Sequence, residues 1–418
     1  MTKADPPAQP FDPRDLQSKG LIARLVAGLL DNPGWLFAIL RRVRPIVRIG
    51  GWAFVTRYDD VAEVLRNDRV FPVPFGPKVE KLNGGPNFLL GMGDGVDYRR
   101  LRAQVADLFP QEENASVVAR VSGKVAEAVV AGAAGRLDAV QDLITYVPIR
   151  VCEDYYGVEV PDKTAFGQWT IAMSTYMFGD PADSKVLERA ALAAGEEVRR
   201  VVDGAISRAK AGGAPVGTIA ERLAGLQAAD PTVTDDVARS ILIGMITGFV
   251  PTNTMAAGHM LEMLLRRQDF LSAVQAAARA NNDDLLTRSL FETFRFKPLN
   301  PGPFRVCAED YVVAAGTPRA ARVRAGTRLL AGTQSAMFDP RRVNRPKAFD
   351  PARAPSDFML FGFGLHWCIG ARLAEAQITQ TLKPLLRRPD LRRAAGSAGK
   401  LRRLGPFPAH LHVQFAAG

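Results

Sequence analysis

Phe358–Ala374 reads FMLFGFGLHWCIGARLA, a glycine-punctuated loop that runs through Cys368 into an apolar-periodic helix beginning near Ile369. That order is chemically useful. A cysteine at a helix start can accept backbone N–H bonds and feels the positive end of the helix dipole, and both stabilise the thiolate that a metal needs as a ligand. Gly362, Gly364 and Gly370 let the backbone turn tightly and approach a large flat group without Cβ clashes. The other two cysteines, Cys152 and Cys307, lie far away without CxxC spacing, so neither a disulfide framework nor a structural zinc site is available. Both read as buried space-fillers.

Phe361, Gly362, Gly364, His366, Cys368 and Gly370 together resemble the cysteine-loop signature of the cytochromes P450, FxxGxxxCxG with a histidine two residues before the cysteine. At ordinary residue frequencies such a match arises by chance in about one chain in a million. The resemblance implies a mainly α fold, with a large helical part and a smaller β-rich part. It also implies haem b (iron protoporphyrin IX) as cofactor, Cys368 as the iron's ligand, and Phe361, Gly362 and Gly370 against the porphyrin. Arg102, Arg305 and His366 would serve the anionic propionates, with Tyr98 standing where many relatives have histidine. That replacement keeps a hydroxyl donor and loses a charge.

The remaining chain agrees in order. Glu292-Thr-Phe-Arg295 looks like the family's ExxR. The pattern alone is weak, because Glu63/Arg66, Glu196/Arg199 and Glu197/Arg200 share it and surface pairs at this spacing are common. Only the 292–295 copy precedes a Pro-rich segment, a strand, Asp339-Pro340 and then PKAFDPAR before the cysteine loop. Residues 47–71 are similar to the family's first hairpin and following helix, so the resemblance runs from about residue 46 to the end.

One region departs from the family. In its usual monooxygenases the long helix over the haem carries an acid followed by threonine, a proton relay for dioxygen activation. Here residues 241–260 read ILIGMITGFVPTNTMAAGHM. Anchored on Asp235-Asp236 and Gly248, Val250 falls at the acid and Pro251 at the threonine. Anchored on Leu264-Leu265, Pro251 falls at the acid and Thr252 at the threonine. The first register is preferred, because Gly248 then lies where the family has its kink glycine. In either register the acid is missing, and Pro251 cannot donate to the carbonyl of Thr247, which kinks the helix or frees that carbonyl. A proline here resembles the family's fatty-acid peroxygenases, which have Arg-Pro; this chain has Val250-Pro251, so their carboxylate clamp does not carry over.

The catalytic candidates are therefore Thr252, Pro251 and Val250. The expected activity is a monooxygenase that activates dioxygen and oxidises a small hydrophobic substrate. Its rivals are a peroxide-driven peroxygenase or redox-neutral rearrangement enzyme, and a non-catalytic haem-binding protein. Pocket candidates are Phe75, Phe88, Leu89, Met173, Met177, Phe249 and Pro301, with Val250 and Thr252 above the iron.

At 418 residues, 47% hydrophobic and 23% charged, the chain is an ordinary globular sequence and not a disordered one. Apolar residues repeat at three and four over 116–134, 186–211, 218–228, 236–267, 285–295 and 370–387, which predicts helices. Strand-like stretches occupy 46–56, 304–330 and 411–415. Residues 1–20 are polar and Pro-rich and read as a flexible arm without a secretory pattern, and residues 21–418 as one domain. The run 241–260 lacks acids, lysine and arginine, yet its Thr247, Pro251, Asn253 and Gly258 suit a buried helix better than a membrane span. A net charge of +11 is spread without basic-aromatic interleaving, so no nucleic-acid partner is expected. An acidic ferredoxin with an NAD(P)H reductase is the expected partner unless the enzyme is peroxide-driven, docking near Arg372 in the cytoplasm.

Overall fold

Residues 33–180 and 183–416 are described by the computed structural model. The arm expected over 1–20 lies outside them, as do residues 21–32. The chain begins with α1 (Gly34–Val43), β1 (Ile46–Ile49), β2 (Trp52–Val55), α2 (Tyr58–Arg66), α3 (Gly76–Asn83), α4 (Val96–Leu108), α5 (Gln111–Gly132) and β3 (Arg136–Asp138). It continues through α6 (Tyr146–Asp154), α7 (Lys163–Phe178), α8 (Lys185–Lys210), α9 (Ile219–Ala229), α10 (Asp235–Leu264), α11 (Gln268–Arg279) and α12 (Asp283–Phe296). Strands β4 (Phe304–Val306), β5 (Tyr311–Val313), β6 (Ala321–Val323) and β7 (Arg328–Ala331) follow, then a long irregular stretch. The end is formed by α13 (Ala371–Arg387), β8 (Arg392–Arg393), β9 (Arg402–Leu404), β10 (Phe407–His410) and β11 (His412–Gln414).

Local chemistry starts the long helices. Asp162, Ser184, Thr218, Thr234 and Asn282 precede α7, α8, α9, α10 and α12, and each side chain accepts an N–H of the first turn, which satisfies one of the donors a helix start leaves open. The periodic stretches become α5, α8, α9, α10, α12 and α13 within a few residues. The period does not reveal α7, whose residues Thr170–Met177 are all buried; a helix enclosed on every side has no polar face to set a rhythm. It also misses α11, which begins just past Arg267, the end of the stretch expected to be one helix.

The β-rich part is built on a four-stranded sheet in the order β1-β2-β7-β4. Its first hairpin turns on Gly50 and Gly51, both left-handed at φ 52° and 82°, the pair of positive values a tight two-residue hairpin requires. β2 runs parallel to β7, and β4 antiparallel to it. A second sheet, β3-β11-β8, and the hairpins β5-β6 and β9-β10 complete the set.

Three apolar cores result. One packs the sheet against α2, a second joins α3, α4, α7, α8 and the first half of α10, and a third joins the second half of α10 with α5, α11, α12 and α13. Helix α10 thus threads two cores. By length and composition it could cross a membrane, but 83% of its most apolar window is buried inside the protein, as in a central core helix.

Candidate active site

Cys368 is fixed by the loop before it. Its N–H donates to the carbonyl of Phe361 at 2.9 Å, while Gly362 and Gly364 take left-handed φ of 80° and 72°. A Cβ on Gly364 would lie 2.5 Å from the Leu65 carbonyl oxygen, so the loop can approach α2 only with glycine there. Helix α13 starts at Ala371, one residue after the start of its periodic stretch, with Gly370 as cap at an ordinary φ of −90°. Gly370 therefore serves space rather than backbone freedom: a Cβ there would meet nothing nearer than the Cys368 sulfur at 3.9 Å.

The helix start does not by itself make a thiolate. Burial pushes the Cys368 thiol up, and the opposing Gly370 N–H and Arg102 charge do not cancel it. Desolvation outweighs the helix terminus, so a bound cation is what would ionise this sulfur. Cys152 and Cys307 are fully buried, and burial raises both.

Cys368 is nonetheless exposed, because it faces an internal cavity. The cavity and its mouth enclose about 1410 Å³. Tyr98, Arg102, Phe361, His366 and Gly370 line it near the cysteine.

This flank is cationic and incompletely paired. Tyr98 donates to the Leu365 carbonyl at 2.8 Å and receives an N–H of Arg102 at 3.2 Å. His366 Nε2 lies 3.0 Å from Asp68 Oδ1, yet out of hydrogen-bond alignment, so both atoms are unsatisfied. Burial alone would raise the Asp68 carboxyl; His366 and then Arg305 more than offset it and hold it below the usual range. Arg305 is 3% exposed, donates to the Phe304 carbonyl and leaves its Nε–H without a partner. Burial lowers its pKa to about 10, partly countered by Asp68. A guanidinium so desolvated calls for an anion. Arg305, mid-strand in β4, and Gly362, in the turn, lie just behind the residues that line the cavity.

On the opposite wall, Gly248 and Thr252 of α10 face the cavity one turn apart. Val250 and Pro251 are buried and do not line it. Of Val250, Pro251 and Thr252, Thr252 is the one that lines the cavity. Helix α10 continues unbroken through Pro251. The missing N–H leaves the Thr247 carbonyl without its helical bond, and Thr247 lines the cavity. The Thr252 hydroxyl donates to the Gly248 carbonyl.

Of the expected apolar wall, Phe88, Leu89, Met173, Met177 and Phe249 line the cavity. Phe75 does not; it stacks edge-on behind Phe178, which does. Pro301 does not either. Its carbonyl is tied to the Gln334 N–H at 3.1 Å, and Leu299 lines the cavity in its stead. Phe88 lies against Gly244 of α10, where a Cβ would fall 2.2 Å from the ring.

A family model, Cytochrome P450, matches residues 231–398, the span that holds α10, Glu292 with Arg295, and the Cys368 loop. Cytochrome P450 105C1 of a Streptomyces species is 30% identical over 266 residues, 62% of this chain and 63% of that protein. Mycinamicin IV hydroxylase/epoxidase of Micromonospora griseorubida is 26% identical over 402 residues, 94% of each chain.

The chain belongs to the cytochrome P450 family.

Its fold agrees: the structure of P450BioI in complex with hexadec-9Z-enoic acid ligated acyl carrier protein superposes with a TM-score of 0.76 over 94% of this chain and all of that one, at 21% identity. Hydroxylases and monooxygenases recur among the relatives, and this cytochrome P450 is a haem-thiolate monooxygenase acting on small organic molecules.

The residues present fit the cofactor of the family. A cysteine opens onto an apolar cavity, and Arg102, His366 and the buried Arg305, whose Nε–H has no partner, cluster on one flank, where acidic side groups of a haem would need them. The ExxR pair of this P450 is wholly buried. Arg295 forks onto both oxygens of Glu292 at 2.7 and 2.9 Å and donates to the carbonyls of Met337, Pro346 and Ala348. Glu292 also accepts from Arg353 at 3.3 Å and from the Asp350 N–H at 3.1 Å, so the PKAFDPAR segment supplies a third member to which the sequence pattern assigns no role. By contrast, the copy at Glu197/Arg200 is a solvent-exposed pair. Sequence reasoning also misses Asp68 and Asn253. The latter carries a signal: it is a lone amide in an apolar helix, next to Thr252.

Proposed function

We propose that this cytochrome P450 uses dioxygen to hydroxylate a largely apolar small molecule, with Thr252 as the proton-handling residue of the distal wall. The observation that carries the reading is the placement of Thr252 and Gly248 on the one face of α10 that shares the cavity with Cys368. Bound haem b, with Cys368 as its ligand, would supply the oxygen activation and the oxidation of the substrate. Arg102, Arg305, His366 and Tyr98 would hold its propionates, and Phe361 and Gly370 its face. The Thr252 hydroxyl can swing from the Gly248 carbonyl toward the cavity, accept a proton from water and pass it inward. The Thr247 carbonyl freed by Pro251 is a seat for that water, and it takes over part of what the missing acid does elsewhere in the family.

Thr252→Ala should lower product formation by on the order of 10²-fold, the scale of a lost proton-transfer group, while NADPH is still consumed. Thr252→Ser should recover most of it. Equal coupling of product to NADPH in wild type and Thr252→Ala would remove Thr252 from the mechanism.

A peroxide-driven reaction has one observation in its favour: among the described residues no Asp or Glu lines the cavity. Against it stands Val250, which occupies the place of the peroxygenase arginine and is packed in the core rather than turned to substrate. Electrons would then come from an NAD(P)H reductase through an acidic ferredoxin on the Cys368 side, in the cytoplasm, where free cysteines persist. Arg372, expected at that docking face, is exposed and already paired with Glu375 at 3.1 Å.

The substrate carries a hydrogen-bonding group. Asn253 lines the cavity, is 3% exposed and has an Nδ2 without a partner, a cost that a ligand can relieve. In spectral-shift titrations wild type should bind dodecanamide more tightly than dodecane. Asn253→Leu, of similar volume, should narrow that preference by about tenfold, the worth of one buried hydrogen bond. An unchanged preference would show that Asn253 reads no polar group.

A further inference from the structure

Away from the cavity, Asp138, His410 and His412 converge where β3 meets β11. Antiparallel pairing sets His412 directly opposite Asp138. Leu411, between the two histidines, is fully buried, so both imidazoles project together to the other face of an extended chain. His410 Nδ1 lies 2.7 Å from Asp138 Oδ2, and His412 Nε2 lies 3.8 Å from the same oxygen. The two rings are parallel, with centroids 6.5 Å apart, and one ligand atom from each of the three residues falls within 4.8 Å of the others. This spot holds two of the chain's four histidines.

The carboxylate is already oriented. Asp138 Oδ1 accepts the N–H groups of Val140 at 3.2 Å and Leu411 at 3.0 Å, which leaves Oδ2 aimed at the histidines. Backbone donors of this kind fix a metal-binding carboxylate. A plain ion pair would explain His410. It gives no reason for a second imidazole aimed at the same oxygen.

We propose that Asp138, His410 and His412 bind one divalent transition-metal ion of the zinc class. Two imidazole nitrogens and one carboxylate oxygen are the ligand set such ions prefer, and water can complete the tetrahedron. The histidine side chains are 38% and 47% exposed, so the ion can enter from solvent. It would staple β11 to β3 and hold the end of the β9-β10 hairpin, whose Phe407 packs in the core beside the cavity and whose Pro408 lies against Gly258 of α10. The ion's role is to stiffen this edge of the enzyme; no reaction step passes through it.

The test uses tag-free, haem-loaded protein stripped with chelator and titrated with zinc chloride by calorimetry. Wild type should bind one ion per chain with micromolar affinity, and zinc should raise its thermal midpoint by a few degrees. His412→Ala, which removes an exposed side chain, should weaken binding by at least about tenfold with the haem spectrum unchanged, and the double variant His410→Ala/His412→Ala should abolish it. No stoichiometric binding by wild type, or equal binding by the double variant, would overturn the proposal; the second result would put the ion elsewhere.

Discussion

Replacing Cys368 by serine or histidine should leave a folded protein that no longer works. The side chain faces the cavity rather than a core, so far-ultraviolet circular dichroism should be almost unchanged. What disappears is the sulfur. Haem that loads into Cys368→His would carry a neutral nitrogen ligand, and the spectrum of its reduced, carbon monoxide-bound form should lose the thiolate signature. Without thiolate electron donation, turnover should fall by at least about 10³-fold, roughly 4 kcal/mol of barrier. Thiolate spectra and turnover that survive the substitution would remove Cys368 from the site and favour a haem-binding protein without this chemistry.

Glu292→Ala and Arg295→Ala should be the most destabilising single changes in the chain. Both side chains are fully buried, and each deletion strands the partner's charge away from water. Breaking such a pair costs about 3–5 kcal/mol, and losing Arg295 also orphans the carbonyls of Met337, Pro346 and Ala348. Those carbonyls belong to the irregular stretch that leads to the Cys368 loop, so haem retention should fall together with the urea midpoint. Glu197→Ala, which breaks an exposed pair of the same spacing, should change the unfolding free energy by less than about 0.5 kcal/mol. Equal effects at the two places would mean that burial does not distinguish them.

Much of the fold and of the proximal side of the site is legible in the amino-acid order, because the cysteine loop is a local motif whose glycines and spacing survive without tertiary context. The long amphipathic helices are legible for the same reason: α8 and α13 each keep a polar face. What the sequence hides is set by rotation and by distance along the chain. Which of Val250, Pro251 and Thr252 faces the cavity depends on the angular position of α10, where one residue is a turn of about 100°, and anchors at either end of a 30-residue helix do not report that angle. Asp68 meets His366 across nearly 300 residues, and Phe75 and Pro301 fall one layer behind the wall; no periodicity reports such contacts. The thiol of Cys368 is the clearest case of competition between two legible effects. The helix start favours ionisation and burial opposes it, and only the packed fold shows that burial wins.

Oxygen from dioxygen should reach the substrate. Haem-loaded protein should be incubated under isotopically labelled dioxygen with a surrogate ferredoxin, its reductase and NADPH, against a panel of fatty acids, terpenes and aromatics, with hydrogen peroxide alone in parallel. One labelled oxygen atom in the hydroxylated product, and little product with peroxide, is the predicted result. Unlabelled product, or turnover with peroxide alone at an equal or greater rate, would contradict it and make the missing acid of α10 the mark of a peroxygenase.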